Sequence, residues 1–318
     1  PLLDKPPQFR LNRDMPSLPQ FPFFKPVELS DKPVIDGILR GYRPFISELT
    51  FTNLFIWRKH FDLQWSVHKD WLCIIGKEDL CPRFAMGPIG PPGRTEITRL
   101  LLEWLTEHTG DPGPCIERAD EKLASELSGL PGFMVVEARE HFDYVYLTQD
   151  LINLAGGRYR TKRNRINQFH RTYGSYTYEE LDERHVEACL ALQERWCLLK
   201  RCEEDLNLDG EWDATREILM NYRALETVGA VIVVASEVRA FTLGEPLGDD
   251  MGVIHVEKAD PGIPGLYQLV NQQFCARRWS NMRFVNREQD LGIPGLRDAK
   301  LSYGPDHFIK KYRITLKG

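Results

Sequence analysis

Two stretches about 170 residues apart, GPIGPPGRTEITRLLLEWL (87–105) and DPGIPGLYQLVNQQFCARRW (260–279), each set a Gly/Pro loop directly before a helix-forming run. Ile97, Leu100, Leu101 and Trp104 share one helical face in the first, and Leu266, Leu269, Val270 and Phe274 in the second, both close to the i, i+3, i+4, i+7 spacing of an amphipathic helix. Similar strand-like segments follow at a matching offset, FDYVYLT (142–148) and FIKKYRITL (308–316). Such a chain is expected to hold two copies of one α/β unit, each closed by its own strand.

Between the copies lies GGRYRTKRNRINQFHR (156–171), rich in Arg and Lys in a chain whose formal net charge is -5. Any attraction to a polyanion must therefore be local. Tyr159, Ile166, Phe169 and Tyr173 fall on one stripe, which predicts an amphipathic helix docked on a core. Arg158, Arg160, Arg165 and Arg171 lie off that stripe, Lys162 and Arg163 within or beside it, and no acidic residue occurs between Asp150 and Glu179. Arg158, Arg160, Lys162, Arg163 and Arg165 are thus candidates to hold the phosphates of a carrier or an RNA. A structural junction helix and sequence-specific nucleic-acid recognition are the other readings.

Prolines at 1, 6, 7, 16, 19 and 22 cannot sustain a helix or a central strand. The expected organisation is an extended arm (1–24), a first domain (25–154), a basic junction helix (155–173) and a second domain (174–318) carrying the active site. The fold class is α/β (α+β), with mixed sheets flanked by helices. Seven scattered cysteines without a C-x-x-C pair predict reduced thiols and a cytoplasmic setting. The longest apolar run, VGAVIVVA (228–235), falls far short of the roughly 20 residues a membrane span needs, so no integral membrane segment is expected. Nucleotide P-loop, H-E-x-x-H and G-x-S-x-G strings are absent and the histidines are dispersed, so no metal is expected.

The string GIPGL occurs at 262–266 and again at 292–296, after the strand-like VIHVEKA and MRFVNRE. Helix N-termini reached through such loops suit a phosphate or carboxylate, which makes Gly262, Gly265, Leu266, Tyr267, Gly292, Gly295 and Arg297 candidate cofactor-binding positions; plain tight turns are the alternative. The densest polar chemistry lies in 286–312. There Glu288 or Asp290 could act as general base, and Lys300 or Tyr303 could protonate or stabilise a departing group. Arg297 and Lys300 are spaced to grip one anion. A surface salt-bridge cluster would have the same composition.

The order strand, Gly loop, helix, strand, helix, strand over 250–316 resembles the second half of the GNAT acetyltransferase fold, in which the loop amides bind the pyrophosphate of an acyl carrier; the usual Q/R-x-x-G-x-G/A string is missing. FISELTFTNLFIWRKHF (45–61), YRTKRNRINQFHRTYG (159–174) and NREQDLGIPGLRDAKLSYGP (286–305) together resemble a bacterial domain family grouped with the C-terminal domain of phosphatidylglycerol lysyltransferase. That resemblance implies tandem GNAT-like domains. It also implies an acyl or aminoacyl transferase with no tightly bound cofactor, acyl-CoA or aminoacyl-tRNA as co-substrate, tRNA as a partner, and a small-molecule or peptide acceptor offering an amine or hydroxyl. The multi-helix membrane domain of the lysyltransferases has no counterpart in these residues, so a lipid acceptor is not expected. Lys300 and Asp290 lead the catalytic candidates. A non-catalytic RNA-binding or adaptor protein on the same duplicated fold is the reading from another class.

Overall fold

The computed structural model describes residues 18–77, 82–110, 113–200 and 206–317. They fall into two compact units, 1–138 with 310–318, and 139–309, each built on a seven-stranded mixed sheet. The first sheet runs β1 (Lys25–Pro26), β2 (Gln64–His68), β3 (Trp71–Lys77), β4 (Arg83–Met86), β5 (Cys115–Ala119), β14 (Tyr312–Leu316), β6 (Phe133–Glu137). The second runs β13 (His307–Ile309), β7 (Asp143–Leu147), β12 (Phe284–Asn286), β11 (Met251–Ala259), β10 (Glu237–Pro246), β9 (Val228–Val234), β8 (Thr177–Glu180). Neighbouring strands are antiparallel except for one parallel pair in each sheet, β4–β5 and β11–β12. The two sheets match in this respect, and the duplication expected from the sequence is present.

The closing strands are exchanged. Segment 143–147, expected to end a first domain at 154, lies inside the second sheet between β12 and β13, and 312–316 lies inside the first between β5 and β6. Side-chain burial explains the choice. Tyr144, Val145 and Tyr146 of β7 are fully buried, and the Tyr146 hydroxyl donates to the Lys300 carbonyl at 2.8 Å. Ile314 of β14 instead joins the core of Ile116 and Phe133, while the fully buried Lys311 beside it ion-pairs with Glu48.

The first unit carries helices α1 (Lys32–Tyr42), α2 (Phe51–Ile56), α3 (Thr95–Thr109) and α4 (Glu121–Leu127). The second carries α5 (Thr148–Asn153), α6 (Arg160–Tyr173), α7 (Glu183–Lys200), α8 (Leu206–Leu225), α9 (Leu266–Arg278) and α10 (Pro294–Leu301). The repeated stripes are core faces: Ile97 and Leu101 are buried on α3 with Leu100 and Trp104 packed against them, and all four residues of the α9 stripe are buried. Residues 1–17 of the expected arm lie outside the described residues; Pro19 to Phe21 run along β2, with the Val67 amide donating to the Pro19 carbonyl at 2.8 Å. Cys73, Cys115, Cys189 and Cys275 are free thiols. Cys197 is disulfide-bonded, which corrects the expectation of reduced thiols throughout. Among the described residues no helix is long and apolar enough to cross a membrane.

The basic segment forms α6 and lies wholly within the second unit. Tyr159, Ile166 and Phe169 are buried and Tyr173 packs beside them, as the stripe predicts. The helix presses on the start of α9 at Gly265, whose φ is +86° and where a Cβ would stand 2.1 Å from the Arg165 carbonyl oxygen. Gly265→Ala should therefore destabilise the protein by about 3 kcal/mol or more through clash and backbone strain. Gly295→Ala, on α10 with open space around it, should stabilise by roughly 0.5 kcal/mol. Denaturant titrations of the two variants check both signs, and equal midpoints would contradict the packing described.

Candidate active site

Strands β11 and β12 pair only from Met251–Phe284 to Val253–Asn286. Strand β11 runs on to Ala259 whereas β12 stops at Asn286, so the sheet opens at that point, with α9 bridging the two strands. Leu243 pairs with Val256 and Gly244 with Ile254, which leaves His255 as the extra residue of a β-bulge. Bulges re-aim a side chain out of the regular alternation. Here the bulge puts His255 against Glu288, the second residue past the last parallel pair: Nδ1 is 2.8 Å from Glu288 Oε1 and Nε2 is 2.9 Å from Glu245 Oε1.

Glu288 has a φ of +56°, the left-handed region that a residue with a Cβ enters only at a cost of about 1–2 kcal/mol. The surroundings hold it there. Its amide donates to Asn286 Oδ1 at 2.7 Å, its carbonyl accepts from the Tyr144 amide at 3.2 Å, and the Lys300 ammonium bonds the carbonyls on either side, those of Arg287 at 2.7 Å and Gln289. Lys300 is thus placed as a clamp on the loop around Glu288, with its ammonium directed at backbone rather than at open space. Burial pushes its amine down to about 8.

Asp290 is fully buried and occupied on both oxygens. Arg297 donates to them at 2.8 and 2.9 Å, Tyr144 at 2.5 Å, Arg139 at 3.2 Å and the Gly292 amide at 2.8 Å. Burial alone would raise this carboxyl, but the bonds from Arg297, Tyr144 and the Gly292 amide outweigh it and hold it down at about 2. A base with so little proton affinity and no vacant oxygen is an anchor: it ties α10 to β7, and Arg297 spends its fork on the same task.

The Tyr303 hydroxyl is buried, and burial pushes it up to about 12. Its ring receives Arg287 at 4.9 Å on the centroid and the Lys162 ammonium at 4.6 Å. Arg287 pairs with Glu257 of β11 at 3.0 Å, and Glu257 in turn accepts from Asn271 of α9 at 2.8 Å. Lys162 donates to Ser302 Oγ at 2.5 Å and has no carboxylate partner among the described residues; burial, with Arg287 and Arg165 nearby, lowers its affinity for a proton. Of the other basic candidates, Arg163 bonds the carbonyls of Leu154 and, at 2.7 Å, Gly156, and Arg158 ion-pairs with Asp150. Arg160 and Arg165 are exposed.

The two GIPG loops differ. Gly262 donates its amide to Asp260 Oδ1 at 2.9 Å, Gly265 faces α6, Leu266 is in the core, and the Tyr267 hydroxyl accepts from Trp196 at 2.8 Å. Gly292 and Gly295 lie in an exposed loop and helix start. In the first unit the corresponding position before α3 is filled from within: Glu126 accepts from the Gly93 and Arg94 amides at 3.1 and 2.8 Å and from the Arg94 side chain at 2.6 and 3.0 Å.

Glu288, Asp290, Lys300 and Tyr303, the candidates expected from the sequence, lie on or beside the loop that follows β12; His255, Glu245 and Glu257 are not among those candidates. The available signal was the segment VIHVEKA, where His255 and Glu257 interrupt a strand that is otherwise apolar up to Lys258.

Residues 39–315 match the family model of phosphatidylglycerol lysyltransferase, C-terminal. A conserved protein of unknown function from Bacteroides thetaiotaomicron VPI-5482 is 32% identical, with a TM-score of 0.82 over 92% of this chain and 99% of that one. L-PGS from Bacillus licheniformis shares the fold at 13% identity, with a TM-score of 0.59 over 90% of this chain and 91% of that one. An uncharacterised protein of Mycoplasmoides gallisepticum is 22% identical over 213 residues, 63% of this chain and 68% of its own length. This chain therefore belongs to the phosphatidylglycerol lysyltransferase C-terminal family, a transferase family.

Proposed function

We propose that the second unit transfers an activated acyl or aminoacyl group, from aminoacyl-tRNA or acyl-CoA, to an amine or hydroxyl acceptor, with Glu288 as general base. The observation that carries this is the strained, fully braced backbone of Glu288 at the opening of the β11–β12 pair; strain of this kind persists where surrounding structure over-determines it, and it clusters at functional sites. Glu288 takes the proton of the attacking amine or hydroxyl as the acceptor atom bonds the acyl carbon. The bond from that carbon to the donor's oxygen or sulfur breaks, and the proton passes to the leaving group, giving an amide or ester and a free hydroxyl or thiol.

The first unit supports the choice of the second by contrast. Counted from the last parallel pair, its equivalent of Glu288 is Ala119, the β3–β4 register has no shift, and Glu126 already fills the helix start. The test is release of labelled acyl group from acetyl-CoA, and from a mixed pool of aminoacyl-tRNA, with ethanolamine as acceptor. Turnover of neither donor by the wild type would sink the reading.

Lys162, Arg160 and Arg165 suit the donor's phosphates, since Lys162 has no carboxylate partner among the described residues and the two arginines are exposed. If the donor is tRNA, log Kd should rise linearly with log salt, and the double variant R160A/R165A should reduce that slope by about 1–2. Fluorescence anisotropy with labelled tRNA reads it. Salt-independent binding removes tRNA and leaves acyl-CoA. Salt-dependent binding with no turnover favours the adaptor reading, which the acid-free stretch between Asp150 and Glu179 otherwise supports only through its charge.

A further inference from the structure

The imidazole of His255 is completely shielded from solvent, yet it is held between two carboxylates, Glu245 of β10 and Glu288. A buried ionic triad of this sort is weak support for stability, because replacing it with apolar packing is often neutral or better. Its placement argues for a different use. The only register shift between β10 and β11 falls at His255, and the bulge turns the ring toward the one residue of the site whose backbone is strained. Glu245 sits behind the ring and Glu288 in front of it, on the side where the sheet opens. We propose that His255, backed by Glu245, is a positioning residue that aims the Glu288 carboxylate and holds it in place at the opening of the β11–β12 pair. This rests on the reading of Glu288 as the base.

The ring should act as a cation. Burial alone would lower its proton affinity, but the bonds to Glu245 and Glu288 outweigh that and raise it to about 9. Both ring nitrogens then carry protons, and each carboxylate receives one, so the Glu288 oxygen is fixed by a charged donor. The charged groups that act on the ring are Glu245 from β10 and Glu288 from the loop; Glu288 in turn faces Lys300 from α10, whose other charged neighbours are Arg287 and Asp290 from the loop and Asp143 from β7. Lys300 titrates in the same alkaline range, but it is common to all the proteins compared below.

Removing the charge of Glu245 takes away one of the two groups that keep the ring protonated, so His255 should lose its proton at lower pH in E245Q, by about 1–2 pH units. Histidine-selective NMR, with H255Q used to assign the resonance, measures that midpoint in both proteins; transfer rates across pH are measured in parallel on the donor that the wild type turns over. The alkaline limb of transfer is expected to follow the midpoint downward, so that E245Q works within about threefold of wild type at pH 6.5 and falls about tenfold behind at pH 8.5. A merely structural triad would lower thermal stability and leave the limb where it was. A midpoint that moves without the limb, or a wild-type His255 that titrates like an ordinary histidine, overturns the proposal. E288Q separates the two levels: full transfer by E288Q removes Glu288 as base and this inference with it, whereas loss of transfer in E288Q beside an unmoved limb in E245Q overturns only the role of His255.

Discussion

Removing residues 310–318 is expected to unfold the first unit and leave the second folded. The deletion takes out β14, an interior strand of the first sheet that pairs on one side with β5 and on the other with all five residues of β6. Burial of Ile314 is lost, at about 2–5 kcal/mol for a core aliphatic side chain. The ladder bonds go at about 1 kcal/mol each. Glu48 loses the buried Lys311, and breaking such a pair from one side costs about 3–5 kcal/mol. The sum matches or exceeds the roughly 5–15 kcal/mol that keeps a domain folded. Hydrogen exchange should show β2 to β5 unprotected while β9 to β12 stay protected. If 312–316 closed the second copy, as chain order suggests, protection would be lost in 139–309 instead, and that pattern would refute the exchange.

The exchange marks where sequence stops informing. The amphipathic stripes of α3, α6 and α9 were legible because helical periodicity is local: Ile97, Ile166 and Leu269 each announce a buried face through residues three and four places away. The pairing of β7 and β14 is not local. Both are short, aromatic or β-branched strands, and nothing within either string says which of two similar sheets it joins; that is decided by distant partners such as Asp290 for Tyr144 and Glu48 for Lys311. Burial also sets the partners in the polar loop, which composition does not show. Lys300 and Asp290 were singled out as ionisable residues in a charge-rich segment, and the fold surrounds one with carbonyls and the other with guanidinium groups. Two of the three strings that made the family of the chain legible hold the loop and its neighbour: 286–305 supplies the loop and 159–174 the helix in the same unit.

Glu288→Gln should lower the transfer rate by about 100-fold to 10,000-fold, the usual worth of a positioned general base, with little change in Tm. Glutamine keeps the size of the side chain and can still meet His255, so packing is retained while proton acceptance is lost. Glu288→Gly asks the complementary question. Glycine enters the left-handed region freely, so relief of about 1–2 kcal/mol of strain should offset part of the roughly 3–5 kcal/mol that breaking the buried pair with His255 costs, and the protein should be about 1–4 kcal/mol less stable than wild type while transferring no better than E288Q. Single-turnover rates and thermal melts on the two variants measure both quantities. If E288Q transfers within about threefold of wild type, the carboxylate is not the base; if E288G is destabilised by more than about 5 kcal/mol, the left-handed turn at Glu288 is not strained.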